Sequence, residues 1–319
     1  MLNCHKVFSL IVHHPSKAEL ILNRMKNYFL LLIIAFFQLS CSSDELSSNF
    51  LLEKEFSLIT ELPNLVNESS GMICSDPNFI WTHNDSGGAP HLYEVDLLTG
   101  TIFKTVVLKN ATNKDWESMT QDNEYTYLSD TGNNNGNRTD LVIYKIPTID
   151  LQTKDSVTAS SIFISYADQD DFSTSSKHNF DCEAIIPLGD HLYLFTKNRG
   201  NFKTNIYKVS KMPGTYVLEK EGSLEVEGLI TDAAINSGQD QICLFGYNEA
   251  DDEHQPFVWL LYDFSDFEFL DGKTKRIDFD LKLQMEAGCY KEDDAIYFTS
   301  EAEGGGVGKV YEVWLEDWI

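Results

Sequence analysis

The chain has 319 residues, with 50 acidic and 24 basic side chains, so its formal net charge is −26. A charge of this sign argues against nucleic acid and anionic membrane surfaces as partners, because both require a basic patch. It favours a small molecule, a glycan or a cationic ligand, although acidity also serves solubility alone.

The first distinctive segment is an apolar run near the N-terminus. Residues 25–27 are Met-Lys-Asn and residues 28–37 are apolar throughout. This is the arrangement of a secretory signal, and the run is too short for a membrane-spanning helix. Residues 1–24 have no such pattern, so we expect them to be a mis-annotated start and Met25 to be the true first residue.

Leu39-Ser40-Cys41 follows the apolar run and resembles a bacterial lipobox. The resemblance implies a lipoprotein signal peptide over residues 25–40, lipidation of Cys41 and membrane attachment by that lipid alone. Residues 41–49 resemble the acidic tether of surface-exposed lipoproteins of the Bacteroidetes type. We therefore predict the bacterial cell envelope, at the outer membrane, as the location. A cleaved signal with a chance cysteine is the alternative.

Residues 50–319 repeat one phrase: an acidic or small residue, an apolar run, a turn, and a second apolar run that ends in polar side chains. The copies are 47 to 66 residues apart. A period near 50 with four short strands per unit is typical of a β-propeller blade. The phrase begins at five anchor residues, which are Ser70, Glu117, Glu183, Asp232 and Glu286.

The number of blades follows from the length of the last unit. Only 34 residues run from Glu286 to the end, too few for a blade, so a strand around Glu55–Ile59 should complete it by pairing with Val310–Trp314. That pairing closes the ring and removes exposed sheet edges. We predict an all-β fold of five four-stranded blades. The alternative is a ring of six blades, because the 66-residue unit is long enough to hold extra structure.

In the third unit we predict strands over Ala184–Pro187, Leu192–Thr196, Asn205–Val209 and Tyr216–Val226.

Four cysteines lie within the predicted propeller, namely Cys74, Cys182, Cys243 and Cys289. Their wide spacing matches no zinc-binding pattern, and three of them lie in apolar strand contexts. We therefore predict buried free thiols rather than a disulfide framework.

The recurring polar residues should converge at one mouth of the central channel. In a propeller, the loop before each innermost strand and the loop after the second strand are neighbours there, which predicts one concave acidic site. The candidate catalytic residues are Glu117, Glu183 and Glu286. The candidate ligand-binding residues are His83, Asn84, Asp85, Lys197, Asn198, Arg199, Tyr247, Asn248 and Glu301. The alternative for Glu117 and Glu183 is that they bond backbone amides and hold blades together.

A polar loop after the second strand of the second unit suggests a metal. Residues 130–137 read Asp-Thr-Gly-Asn-Asn-Asn-Gly-Asn, which combines a carboxylate, amide oxygens and flexible glycines, the ligands that Ca²⁺ prefers. We predict a calcium site at Asp130, Asn133 and Asn134. The loop lacks the spacing of an EF-hand, and Asn-Gly is also an ordinary tight turn.

Three phrases resemble a group of uncharacterised bacterial envelope propellers. They are Trp81–Gly88, Asp115–Glu117 and Leu128–Asn134. The resemblance covers nearly all of the chain after residue 60 and implies the fold without an activity. Phytase-like propellers share an acidic, calcium-laden face, and five-bladed glycosidases share inner-strand carboxylates. Neither motif matches residue by residue, so both are analogies of fold.

Three functions are compatible with this pattern. The first is a monomeric ligand-binding propeller whose acidic face uses a calcium ion. The second is a hydrolase of glycosides or phosphoesters, which needs two carboxyls about 5 to 10 Å apart and one raised pKa. The third is an envelope scaffold that binds a protein partner. No nucleophile elbow, zinc-binding helix or phosphate-binding loop is present in the sequence.

Overall fold

The computed structural model describes residues 50–51, 56–249, 254–265, 268–302 and 306–315. The predicted signal peptide, the tether and the lipidation residue Cys41 lie outside the described residues, so these features stay predictions. Among the described residues there is no helix with the length and hydrophobicity needed to span a bilayer.

The described chain forms five sheets around a central channel, a five-bladed β-propeller as predicted. Strands β1 (Phe50–Leu51) and β2 (Phe56–Glu61) precede the first blade. Blade 1 contains β3 (Ser69–Asp76), β4 (Phe79–Asn84), β5 (His91–Asp96) and β6 (Thr101–Leu108). Blade 2 contains β7 (Met119–Gln121), β8 (Tyr125–Asp130), β9 (Val142–Pro147) and β11 (Ser160–Tyr166), with helix α1 (Thr148–Thr153) and β10 (Ser156–Val157) between the last two.

The remaining blades follow in chain order. Blade 3 contains β12 (Cys182–Leu188), β13 (His191–Thr196), β14 (Thr204–Ser210) and β16 (Lys220–Leu224), with β15 (Gly214–Leu218) preceding β16. Blade 4 contains β17 (Leu229–Ile235), β18 (Gln241–Asn248), β19 (Gln255–Tyr262) and β20 (Lys273–Phe279), with a 3₁₀ turn at Phe269–Asp271. Blade 5 contains β21 (Met285–Glu292), β22 (Ala295–Ser300), β23 (Lys309–Trp314) and β2.

The N-terminal strand closes the ring as predicted. Strand β2 pairs antiparallel with β23, with Phe56 opposite Val313 and Glu61 opposite Lys309. The first and last parts of the propeller therefore share one sheet, and unfolding either end exposes the edge of blade 5.

Three blades carry a fifth, parallel strand at the outer edge, which the sequence analysis missed. Strand β10 lies beside β6, β15 beside β11, and β1 beside β20. The single strand predicted over Tyr216–Val226 is wrong, because its first half belongs to β15 in the sheet of blade 2 and its second half forms β16 in blade 3. The long second unit thus holds α1 and β10 rather than a sixth blade.

Apolar side chains fill the spaces between neighbouring blades. Five clusters of buried residues lie there, with large rings such as Trp116, Phe245 and Phe298 almost fully buried. Neighbouring blades approach closely, since a Cβ atom at Gly288 in β21 of blade 5 would overlap the ring of Phe245 in β18 of blade 4. Interdigitation of this kind holds the strand starts, and hence the side chains at the channel mouth, in place.

The prediction of four free thiols is wrong for one pair. Cys74 in β3 and Cys289 in β21 form a disulfide across the junction of blades 1 and 5, although they are 215 positions apart in sequence. Sequence spacing could not show this pairing, because only ring closure brings the two inner strands together. Cys182 and Cys243 are buried and free, as predicted. A disulfide of this kind persists in oxidising compartments.

Candidate functional site

A hydrogen-bond network ties the five inner strands together across the channel. The carboxylate of Asp232 in blade 4 accepts a hydrogen bond from the Ser118 hydroxyl of blade 2 at 2.6 Å and from the Gly288 N–H of blade 5 at 2.9 Å. The Ile185 N–H of blade 3 donates to the Ser118 hydroxyl at 3.2 Å. The backbone amide of Met72 in blade 1 also bonds Asp232.

Asp232 is therefore a structural residue among the anchor acids. Burial raises its pKa, and the donors from Ser118, Gly288 and the neighbouring backbone oppose that rise. This network is the arrangement that sequence analysis had considered as the alternative for Glu117 and Glu183.

Five other carboxylates cluster at the channel mouth. The first carboxylate group consists of Asp85, Asp115 and Glu117, whose oxygen atoms lie within 4.8 Å of one another. The second carboxylate group consists of Glu117, Asp181 and Glu183, with the same spacing. Glu117 belongs to both groups, so the five side chains form one continuous acidic surface.

Two of the three acids in the second carboxylate group, Asp181 and Glu183, are paired with cations of the chain. The Lys197 ammonium lies 2.9 Å from Glu183 Oε2, and Arg199 pairs with Asp181 and, at 3.6 Å, with Glu183 Oε1. Burial lowers the pKa of Lys197, but Glu183, Tyr247 and Glu286 raise it by more, so the net shift is upward and the ammonium stays charged. The Tyr247 ring lies 5.4 Å from the Lys197 Nζ atom.

The first carboxylate group differs in its ion pairs. None of the ion pairs among the described residues includes Asp85, Asp115 or Glu117. Burial and then the Asp115 charge raise the pKa of Asp85 to about 7, while burial and then Asp181 raise that of Asp115 to about 6. The pKa of Glu117 is raised well above its usual value by burial and then by Glu183. Crowded carboxylates in a dry site hold protons because their charges repel.

The loop predicted to bind calcium forms the wall of this acidic surface. Asp130 pairs with Arg138 at 2.9 Å, and the Asn133 side chain donates to the Phe180 carbonyl at 3.0 Å and accepts the Arg138 N–H at 2.9 Å. The Asn134 side chain bonds Asp115. The oxygens of Asp130 and Asn133 are thus engaged by the chain itself.

Gly132 in the same loop explains how closely the wall approaches. A Cβ atom at Gly132 would overlap the Glu117 carboxylate and lie 2.6 Å from Cγ of Asp115. Only a residue without a side chain permits this contact, so the loop and the first carboxylate group are fitted to each other.

His83 and Asn84 lie behind the acidic surface. The His83 ring packs edge-on against Trp116 with centroids 5.6 Å apart, and burial lowers its pKa to about 4, so it is neutral. Asn84 donates to the Leu65 carbonyl at 2.8 Å and accepts the Glu68 N–H at 3.3 Å. His83 and Asn84 therefore support the site from behind, whereas the adjacent Asp85 lies among the carboxylates at the channel mouth.

Glu286 enters the site from blade 5 and lacks a full set of partners. Its Oε1 atom is buried without a hydrogen bond among the described residues, and the side chain is 5 % exposed. Burial raises its pKa to about 7; Lys197 opposes the rise and Glu301 adds to it. Glu301 also raises the pKa of Asp85, so its charge acts on the same surface.

The other predicted ligand-binding residues differ in whether they reach the acidic surface. The Asn198 side chain accepts the Thr196 hydroxyl at 2.6 Å, and Asn248 is opposite Gln255 at the end of β18. Tyr247 is buried and lies against His254, with ring centroids 5.1 Å apart. Of this set, Lys197, Arg199 and Tyr247 reach the acidic surface.

Sequence analysis missed Asp115 and Asp181 as site residues. Each lies two positions before an anchor glutamate, in Asp-Trp-Glu and Asp-Cys-Glu. That shared spacing was the available signal. Side chains two apart in an extended segment lie on the same side of it, so each Asp accompanies its Glu into the site.

Comparisons with known proteins gave similar solved structures but no family. No protein-family model and no curated protein sequence matches the chain. The solved structures similar to it include hydrazine synthase of Kuenenia stuttgartiensis, at 11% identity over 77% of this chain and 59% of that chain, with a TM-score of 0.39. They also include the PQQ-bound aldose sugar dehydrogenase of Streptomyces coelicolor, at 9% identity over 81% of this chain and 97% of that chain, with a TM-score of 0.47. A chain of the mitotic checkpoint complex is similar at 8% identity over 74% of this chain and 72% of that chain, with a TM-score of 0.37.

The chain thus spans less than two thirds of the hydrazine synthase chain. Likeness at this level says nothing about ligands. The resemblance to envelope propellers stays a prediction.

Proposed function

We propose that the protein is a cation-dependent ligand-binding propeller, in which Asp85, Asp115 and Glu117 bind one divalent cation, calcium. The observation that carries this proposal is the close approach of three carboxylates that form no ion pair with a basic side chain among the described residues. Carboxylate oxygens are the ligands that Ca²⁺ prefers, and the ion accepts a variable coordination geometry.

Electrostatic repulsion supports the same conclusion. Two like charges 4 Å apart repel by about 4 kcal/mol at an effective dielectric constant near 20. Protons relieve this repulsion in part, as the raised pKa values of Asp85 and Asp115 indicate. A divalent cation offsets two of the three negative charges and thereby favours ionisation of the carboxyls.

Glu286 supplies a further acceptor for a ligand beside the cation. Its buried, unpartnered Oε1 atom can accept a hydrogen bond from a hydroxyl or an ammonium group. The ligand classes that fit an acidic surface of this kind are a small molecule, a glycan or a cation.

The hydrolase alternative is favoured by the same residue. A carboxyl with a pKa of about 7 holds a proton at neutral pH and can act as a general acid. Calcium-dependent cleavage of a chromogenic glycoside or phosphoester that disappears in Glu286→Gln would favour this alternative. Absence of turnover on both substrate classes would favour binding alone.

Glu117→Gln is expected to weaken calcium binding by about 100-fold or more, because it removes one of three carboxylate ligands. The amide is isosteric with the carboxyl, and loss of one repelling charge should leave the cation-free protein at least as stable. Calcium titration by calorimetry, with metal content and melting temperature measured before and after chelation, tests this.

Glu219→Gln is the matched control, since it removes one exposed negative charge elsewhere. Gly132→Ala provides a second arm, because it keeps every carboxylate and pushes a methyl group into Glu117. Unchanged calcium affinity together with lower stability in Glu117→Gln would mean that Glu117 holds blades together.

We also propose that the protein is a lipoprotein of the bacterial cell envelope, lipidated at Cys41. The disulfide between Cys74 and Cys289 supports an oxidising compartment. Cys41→Ala is expected to move the protein from the membrane fraction to the soluble fraction and to stop processing by the lipoprotein signal peptidase. Unaltered processing and fractionation of the variant would refute the lipid anchor.

A further inference from the structure

The two carboxylate groups have the same spacing, but only the second has acids that are ion-paired with Lys197 and Arg199. Glu117, Asp181 and Glu183 lie as close together as Asp85, Asp115 and Glu117. In the second carboxylate group, however, the Lys197 ammonium lies 2.9 Å from Glu183, and Arg199 reaches both Asp181 and Glu183. The chain's own cations are therefore where a second metal ion would otherwise be held.

We propose that Lys197 and Arg199 together substitute for a second metal ion, so that the site takes one divalent cation per chain and these two residues determine that stoichiometry. This inference rests on the proposed function, because it presupposes that the first carboxylate group binds a cation. It adds that Glu117 lies between a metal ion on one side and the ion-paired carboxylates of Asp181 and Glu183 on the other.

The burial of Lys197 is the main support. The residue is 4 % exposed, and a lysine is rarely buried to this extent without a charge partner. It is enclosed by Glu183, by the Tyr247 ring at 5.4 Å and by the field of Glu286. A compact ammonium held between a carboxylate oxygen and an aromatic face can take the place of a small cation.

The unpartnered Oε1 atom of Glu286 is an independent sign of a ligand. It is buried within the same acidic surface, and both Lys197 and Asp85 act on its pKa. The two protein cations do not supply it with a hydrogen bond. The acidic surface therefore retains an oxygen atom that can accept a hydrogen bond after Lys197 and Arg199 have paired with Asp181 and Glu183.

A double variant that combines Lys197→Met with Arg199→Met tests the assignment. Each methionine keeps an unbranched stem and removes a charge, so the double variant frees Asp181 and Glu183 and leaves the second carboxylate group without its two cations. Titration with Mn²⁺ alone, followed by electron paramagnetic resonance, counts the ions. We expect one isolated Mn²⁺ per chain in the wild-type protein. In the double variant we expect two Mn²⁺ ions, with the broadened spectrum of a pair bridged by Glu117.

Lys197→Arg is the matched control, because it keeps the charge and should keep the count at one. Two Mn²⁺ ions in the wild-type protein, or one in the folded double variant, would overturn the inference and leave the proposed function intact. No Mn²⁺ bound to the wild-type protein would overturn both. If the double variant fails to fold, Lys197→Met takes its place, with a second Mn²⁺ ion expected at lower affinity, and a count of one in that folded variant would overturn the inference.

Discussion

Asp232→Ala is expected to lower the free energy of unfolding by about 3–5 kcal/mol, because each buried donor left without an acceptor costs about 1–3 kcal/mol. The carboxylate accepts hydrogen bonds from the Ser118 hydroxyl and the Gly288 amide, which come from two other blades. Alanine leaves these donors buried without an acceptor. It also releases Ser118, the residue to which the Ile185 amide of blade 3 donates.

Urea unfolding monitored by circular dichroism measures this change. Asp155→Ala removes an exposed acid of the same type and is the control, with an expected change below about 0.5 kcal/mol. The loss in the free energy of unfolding for Ser118→Ala should lie between the losses for Asp232→Ala and Asp155→Ala, because this variant removes one donor from the network and keeps Asp232. A loss for Asp232→Ala no larger than that of the control would show that the five blades do not depend on this residue.

Calcium affinity is expected to rise by about 100- to 1000-fold between pH 5 and pH 8, because the cation must displace protons from its ligands. The pKa of Asp85 is raised to about 7 and that of Asp115 to about 6, so both carboxyls are protonated at pH 5 and ionised at pH 8. Calorimetry at a series of pH values, in buffers of different ionisation enthalpy, measures the affinity and the protons released.

The stability of the cation-free protein should change in the opposite direction. Raised pKa values mean that the folded state binds protons more tightly than the unfolded state, in which aspartate has a pKa near 3.9. The resulting stabilisation is complete below about pH 4 and is lost as the pH rises through 6 to 7. Saturating calcium should remove this loss. The Glu117→Gln variant should show a weaker pH dependence, and a wild-type affinity independent of pH would contradict the assignment of the ligands.

The sequence by itself determined the architecture. The repeat near 50 residues, the alternation of side chains and the short final unit predicted five blades and closure by an N-terminal strand, and the structure has both. These signals are local, because strand periodicity and turn residues depend on neighbours along the chain. The acidic mouth was predictable for the same reason, since each anchor residue has the same place in its blade.

Only the tertiary structure decided which role each acid has. Glu117 and Asp232 are at equivalent positions of the repeated phrase, yet Glu117 lies among carboxylates and Asp232 is surrounded by donors from other blades. The disulfide between Cys74 and Cys289, 215 residues apart, was equally hidden. Protonation, pairing and cation binding depend on distances between residues of different blades, and those distances exist only once the ring has closed.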